Sequence, residues 1–265
     1  YMLNTIGTGA GTSQSNAAVT LDSVKYADSQ NVETTDGTDR VGNALYVFKS
    51  IPTVTGVDLI NTSALVNGSA QDLYKFTVSA SSQGSVALKQ VILNTTWSDG
   101  GTADTLEVES MKIFEDGVDV TGNVLIQDED GNTVESTSGM LEADDSTTIS
   151  WTTGLESVIG AGSTKTYVLR GVPQAFRMTG ADTVGDSVSF ALIGDTAANG
   201  TSMFLNGTAT ATTLWGLHTA AAATGSGTLY TFIWSDNASN VHTAAENASS
   251  TGDWANSFKV LNLDL

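Results

Sequence analysis

The sequence predicts an all-β protein, and three observations carry that expectation. Serine and threonine supply 66 of 265 residues. Such hydroxyl density suits strand faces and turns, and is costly inside helices, where these side chains compete for backbone hydrogen bonds or lose rotamer freedom. Asp-Gly or Asn-Gly pairs begin at Asp36, Asn67, Asp99, Asp116, Asp130, Asn199 and Asn206, and these dipeptides mark tight turns because they tolerate positive φ. Between them lie short apolar runs, many alternating, without an amphipathic helical pattern of ten residues. About ten short strands joined by turns form the pattern of an immunoglobulin-like antiparallel β-sandwich, here with an extended N-terminal arm and long loops.

Residues 1–43 are rich in Gly, Ser, Thr and Asn, with one strand-like segment from Val19 to Tyr26. They are too polar to form a core, so this is an arm or linker whose strand, through Val19, Leu21 and Val24, is exchangeable into another sheet. The sandwich domain spans 44–265. Its first strand, 44–50, is closed by Ile51-Pro52, where proline removes a ladder donor. Residues 72–79 alternate with Tyr74, Phe76 and Val78 facing one way, the mark of a half-buried strand. In 86–93 the inward phase changes between Leu88 and Val91, which predicts a bulge or a strand crossing between sheets. Further strands fall at 105–114, 124–126, 147–151, 164–170, 186–193, 228–234 and 257–261. Residues 196–227 read as a long, partly packed excursion. Leu-Tyr-x-Phe recurs at 45–48, 73–76 and 229–232, through duplication or, more simply, the preference of strand faces for aromatics.

Charge narrows the partners. Ten Lys and Arg against 29 Asp and Glu leave a net charge of −19, and the bases are scattered, so nucleic acid is not expected as a partner. Cysteine is absent, which rules out disulfides and thiolate metal sites. No apolar run approaches the roughly 18 residues of a membrane span, so membrane insertion is not expected. The start, Tyr1-Met2-Leu3-Asn4, is that expected of a processed form or a fragment. Seven sequons, at Asn61, Asn67, Asn94, Asn199, Asn206, Asn237 and Asn247, are candidate glycosylation sites. Absent cysteine, scarce lysine and abundant threonine together predict an extracellular, cell-surface location.

Catalytic patterns are missing. The histidines, His218 and His242, accompany no Gly-x-Ser-x-Gly elbow, no His-Glu-x-x-His motif and no phosphate-binding Gly-x-x-x-x-Gly-Lys loop, so no enzyme is expected. The stretch from Asp99 to Asp145 holds fourteen carboxylates against Lys112 alone, and calcium is the cofactor to consider there. Asp128, Asp130 and Asn132 offer oxygens at alternate positions, but Gly131 at the fourth position and Gly139 at the twelfth exclude an EF-hand loop. Glu115, Asp116 and Asp119 form a second candidate group. Trp234-Ser235-Asp236-Asn237 and Gly252-Asp253-Trp254 are the most distinctive local features, and each predicts a buried indole with a polar loop capping the strand end.

Several strings carry a resemblance. Residues 159–171 (Ile159-Gly160-Ala161-Gly162-Ser163-Thr164-Lys165-Thr166-Tyr167-Val168-Leu169-Arg170-Gly171), 185–189, 232–237 with 252–254, 47–54 and 74–78 resemble the Ser/Thr-rich β-sandwich modules of large secreted cell-surface proteins from uncultivated, small-genome bacteria. The likeness extends over about 44–265 and implies a role in the cell envelope as lattice, filament or adhesive stalk.

The function expected is thus an extracellular structural subunit that assembles with copies of itself into a surface filament or S-layer-like lattice by β-strand addition. Seven lysines and two prolines give the strand borders little of the usual protection against pairing. The alternative is an adhesin or carbohydrate-binding module that presents Trp97, Trp151 or Trp215 to surface glycans. A secreted glycoside hydrolase using paired carboxylates ranks third.

Overall fold

The computed structural model describes residues 15–17, 20–21, 23–38, 40–41, 45–59, 65–99, 106–128, 131–134, 140–142, 146–152, 154–176, 185–192, 232–237 and 254–256. These residues are strand-rich and all-β, as the composition predicts. Six strands make the N-terminal ribbon: β1 (Ser15–Ala17), β2 (Thr20–Leu21), β3 (Val24–Ala27), β4 (Glu33–Asp36), β5 (Arg40–Val41) and β6 (Leu45–Val47). The body follows with β7 (Pro52–Gly56), β8 (Gln71–Ala80), β9 (Val86–Ser98), β10 (Glu107–Glu115), β11 (Val118–Asp119), a 3-10 turn at Thr121–Asn123 and β12 (Val124–Gln127). It ends with β13 (Met140–Glu142), β14 (Thr147–Trp151), β15 (Ser157–Ile159), β16 (Thr164–Gln174), β17 (Ser187–Leu192), β18 (Phe232–Ser235) and β19 (Trp254–Asn256).

The body has two antiparallel sheets. The first runs β11-β10-β16-β8-β7, with β13 also on β10; the second runs β12-β14-β9-β18-β19, with β15 and β17 also on β9. Phe76, Val78, Ile113, Tyr167 and Leu169 of the first share one buried cluster with Leu88, Val91, Leu93, Ile149 and Trp234 of the second. The strand read at 44–50 is divided: Leu45–Val47 pairs with β1 inside the ribbon, and Pro52 opens β7 instead of closing a strand. A first position on a border strand suits a residue without an N–H.

The central strand β9 is flanked by interrupted neighbours. Leu93 pairs with both Thr147 and Leu192, and Leu88 with both Ser157 and Trp234. Hence β14 and β15 lie on one side of β9, and β17 and β18 on the other. On the first side the chain leaves after Ser150↔Gln90 and rejoins at Ser157↔Leu88; on the second it leaves at Leu192↔Leu93 and rejoins at Phe232↔Val91. Lys89 is skipped on both sides, so the phase change between Leu88 and Val91 is a bulge.

Polar side chains secure these breaks. Lys89 is 2% exposed; its Nζ donates to the Trp151 carbonyl at 2.5 Å and lies 3.7 Å from Glu156 Oε1. Two tyrosines reach across from the first sheet. Leu192 N–H donates to Tyr74 Oη at 3.2 Å, where β17 leaves the ladder, and Tyr167 Oη sits 2.6 Å from Ser157 Oγ, where β15 rejoins it. Burial pushes both phenols upward, against a smaller opposing effect of their hydrogen bonds, so they stay protonated across the ordinary pH range. Trp151 meets Tyr167 edge-on at 5.8 Å.

Removing a buried partner leaves the other group unsatisfied, at about 1–3 kcal/mol. Tyr74→Phe should therefore lower stability by about that amount in urea unfolding, with accelerated amide exchange at Leu192. Lys89→Met should cost a similar amount, about 1–3 kcal/mol, and adding Glu156→Gln should recover part of it.

Candidate functional site

The ribbon's six strands pair as three two-stranded sheets, β1 with β6, β2 with β5 and β3 with β4. Its pairs run Ser15↔Val47, Thr20↔Val41, Val24↔Asp36 and Ala27↔Glu33. Asp28 builds the tip: its Oδ1 accepts from Gln30 N–H at 2.8 Å and Val32 N–H at 2.9 Å, while Asn31 adopts φ 63°. Both are favoured roles for these residues, since Asp caps turns with its own side chain and Asn tolerates the left-handed region.

The ribbon tip has two unlike faces. Residues directly opposite in a ladder share a face, so Val24, Tyr26, Thr34 and Asp36 lie together, and Val32, across from Asp28, joins them. Val24, Tyr26 and Val32 are 41%, 55% and 55% exposed. The opposite face holds the Lys25–Glu33 ion pair. Every residue from 23 to 35 is exposed. A lone two-stranded hairpin is marginal in water, and this one holds an apolar face to solvent.

The body's two borders differ. At one, buried Val134 donates its N–H to Ile126 O at 3.0 Å and accepts from Met111 N–H at 3.1 Å. One residue thereby ties β12 of the second sheet to β10 of the first, and the structure curls into a partly closed form. At the other border β7 ends the first sheet and β19 the second. Val57 N–H bonds Lys75 O at 3.0 Å, so by antiparallel alternation Thr53 and Thr55 bond β8 while Pro52, Val54 and Gly56 turn their peptide groups outward. Lys75 lies beside this border and has no acidic partner among the described residues.

The link between ribbon and body is pinned to the second sheet. Phe48 meets the Trp234 ring at 5.2 Å, and Lys49 N–H donates to Asp236 Oδ2 at 2.8 Å. Asn237 donates from Nδ2 to Ser85 Oγ at 2.9 Å. Trp234 is buried and Ser235 pairs with Trp254, so the two distinctive tryptophan strings meet on adjacent strands, with Asp236 as the polar clamp.

The other candidate residues are placed as follows. Val19 lies outside the described residues; Leu21 pairs with Arg40 and Val24 with Asp36. Buried Asp128 gives Oδ1 to Asn132 N–H at 2.7 Å and Oδ2 to Asn132 Nδ2 at 2.8 Å; Asp130 lies outside the described residues. Glu115 accepts from Lys165 Nζ and from Ser157 Oγ, Asp116 from Thr166 N–H, and Asp119 from Lys112 Nζ and Thr121 N–H. Among the described residues no three His, Cys, Asp or Glu side chains gather as metal ligands would. Asn67 clamps the Phe176 backbone with both amide atoms, and Asn94 is exposed on β9. Asn61, Asn199, Asn206, Asn247, Trp215, His218, His242 and the excursion at 196–227 lie outside the described residues. Trp151 is 2% exposed and Trp97 stacks on Phe176 at 6.1 Å. The sequence showed the ribbon's strand but not its fold-back, because β4 and β5 lie in a polar stretch without alternation. No described helix is long and apolar enough to cross a membrane.

No protein-family model matches this chain, and no curated protein matches it.

Asp119 yields a pH test. Hydrogen bonds from the Thr121 side chain and backbone, with help from Lys112, hold its carboxyl below the ordinary value of 3.8. Its contribution to stability is thus present above that value and lost as pH falls through the lower folded one. Asp119→Asn should narrow the gap in unfolding midpoint between about pH 7 and about pH 3.

Proposed function

We propose that this chain is an extracellular structural subunit that assembles with copies of itself into a surface filament or lattice, the N-terminal ribbon serving as donor in β-strand addition. The observation that carries this is the ribbon tip, whose Val24, Tyr26 and Val32 form an uncovered apolar face on strands with open edges. Strand addition supplies both needs at once, since backbone bonds satisfy the edge and side-chain contacts cover the face. We read the threonine-rich, lysine-poor composition as that of a protein working outside the cell. Buried Trp151 gives no support to glycan stacking.

We read the body as an immunoglobulin-like sandwich. Strand order supports this: β7-β8-β16-β10 over β9-β18-β19 follows A-B-E-D over C-F-G of that fold. Here β17 and β18 are two halves of strand F, and β12, β14 and β15 are additions beside C.

Negative-stain microscopy of the intact chain should show filaments or a lattice. Tyr26→Asp, which places a charge on the apolar face away from the core, should raise the critical assembly concentration at least about tenfold, or about 1.4 kcal/mol per contact. The unfolding midpoint of the body should stay unchanged. Unaltered assembly by this variant and by a chain lacking residues 1–47 would remove the ribbon from the mechanism.

A further inference from the structure

We infer that the ribbon of one copy adds to the β7 border of the next, with β4 as the strand in contact, so that the first sheet grows by two strands at each junction. This rests on the proposed self-assembly and names the acceptor within it.

Backbone geometry selects β7. Beyond β10 the first sheet offers only the two-residue β11 and three-residue β13, and Val134 between them uses its own N–H and carbonyl to join the two sheets. At β7, by contrast, Val54 and Gly56 direct N–H and carbonyl groups outward and Pro52 a carbonyl. The alternation Asp28–Val32, Tyr26–Thr34 turns the peptide groups of Glu33 and Thr35 outward from β4. Each edge thus presents two complete peptide sets two residues apart.

Charge points the same way. The ribbon tip carries Asp28, Glu33 and Asp36 against Lys25. Lys75 faces solvent beside β7, half-buried and without an acidic partner among the described residues. In a chain of net charge −19, such a cation is a favourable landing point for an acidic strand. Of the two ribbon edges, β4 bears Glu33 and Asp36 while β3 bears Lys25, so β4 is the edge that approaches Lys75. At the remaining border neither β18 nor β19 bears a Lys or Arg, and the nearby Lys49 Nζ is engaged by the Asn237 carbonyl at 3.4 Å.

The tether starts the ribbon on the other sheet, which favours a β7 of another copy as its acceptor. Phe48 and Lys49 are held on Trp234 and Asp236 of the second sheet, and only Ser50 and Ile51 remain to reach β7 of the first. Both contacts hold the start of the ribbon on the second sheet, opposite the sheet that carries β7. Exposed Ile51 stands at the start of β7, an apolar neighbour for an incoming strand.

The absence of native cysteine makes cross-linking clean. A Thr34→Cys chain is mixed under mild oxidation with a Thr53→Cys or Thr55→Cys chain, and separately with Thr133→Cys (closed border) or Asn256→Cys (β19) chains. Disulfide-linked heterodimer at β7 should exceed both controls at least about tenfold, and Lys75→Glu should reduce it with assembly. Assembly with cross-links favouring Asn256 or Thr133 would overturn the β7 assignment and leave self-assembly standing. A chain that stays monomeric at high concentration and cross-links nowhere would overturn both.

Discussion

The architecture depends on keeping a 13-residue strand, β9, in the middle of a sheet whose neighbours on both sides are broken. An unbroken ladder holds its strands through uninterrupted backbone pairing; here each flank must be secured where the chain departs and returns. Lys89 on the bulge, Tyr74 and Tyr167 from the opposing sheet, and Ser157 do this with four side chains. Since buried polar groups cost heavily when unpaired, these contacts also fix which residues may stand at the breaks. They also tie the two sheets together, for both tyrosines belong to the first sheet and bond the second.

The body is asymmetric as a consequence of its connections. One border is tied across by a single buried valine between the short strands β11 and β13, while the opposite border ends in β7 and β19, with peptide groups of β7 turned outward. The ribbon leaves the molecule near that open side but from the other sheet, anchored by Asp236. In the proposed assembly, a tied border opposite an open one would give head-to-tail contacts a direction. A heterologous contact of that kind extends a chain of subunits instead of closing a pair.

Much of the body was legible in the sequence. The alternation of Tyr74, Phe76 and Val78 locates β8, Thr147 to Trp151 coincides with β14, and the phase change after Leu88 marks the Lys89 bulge. The buried Trp234 with its polar cap was legible too. The ribbon's fold-back was not, because β3 and β4 bury nothing and so leave no periodic signal. Pro52 misled in position, since proline forbids an inward donor but suits the start of a border strand equally well. The acidic candidates were scattered by local needs: Asp116 and Asp119 serve turns, Glu115 a cross-strand ion pair, and Asp128 its own loop. Charge density alone says nothing of convergence.

The interruption between Leu192 and Phe232 carries an evolutionary implication. The chain leaves β9 at the rung of Leu93 and returns at that of Val91, so its two ends are held next to each other whatever lies between. Closing a longer loop between fixed ends adds only about 0.6 kcal/mol for each doubling of length. The position is therefore a natural docking bay for cargo: whole modules can be gained, lost or exchanged there over generations, or grafted by an engineer, while the scaffold that carries them keeps its registry.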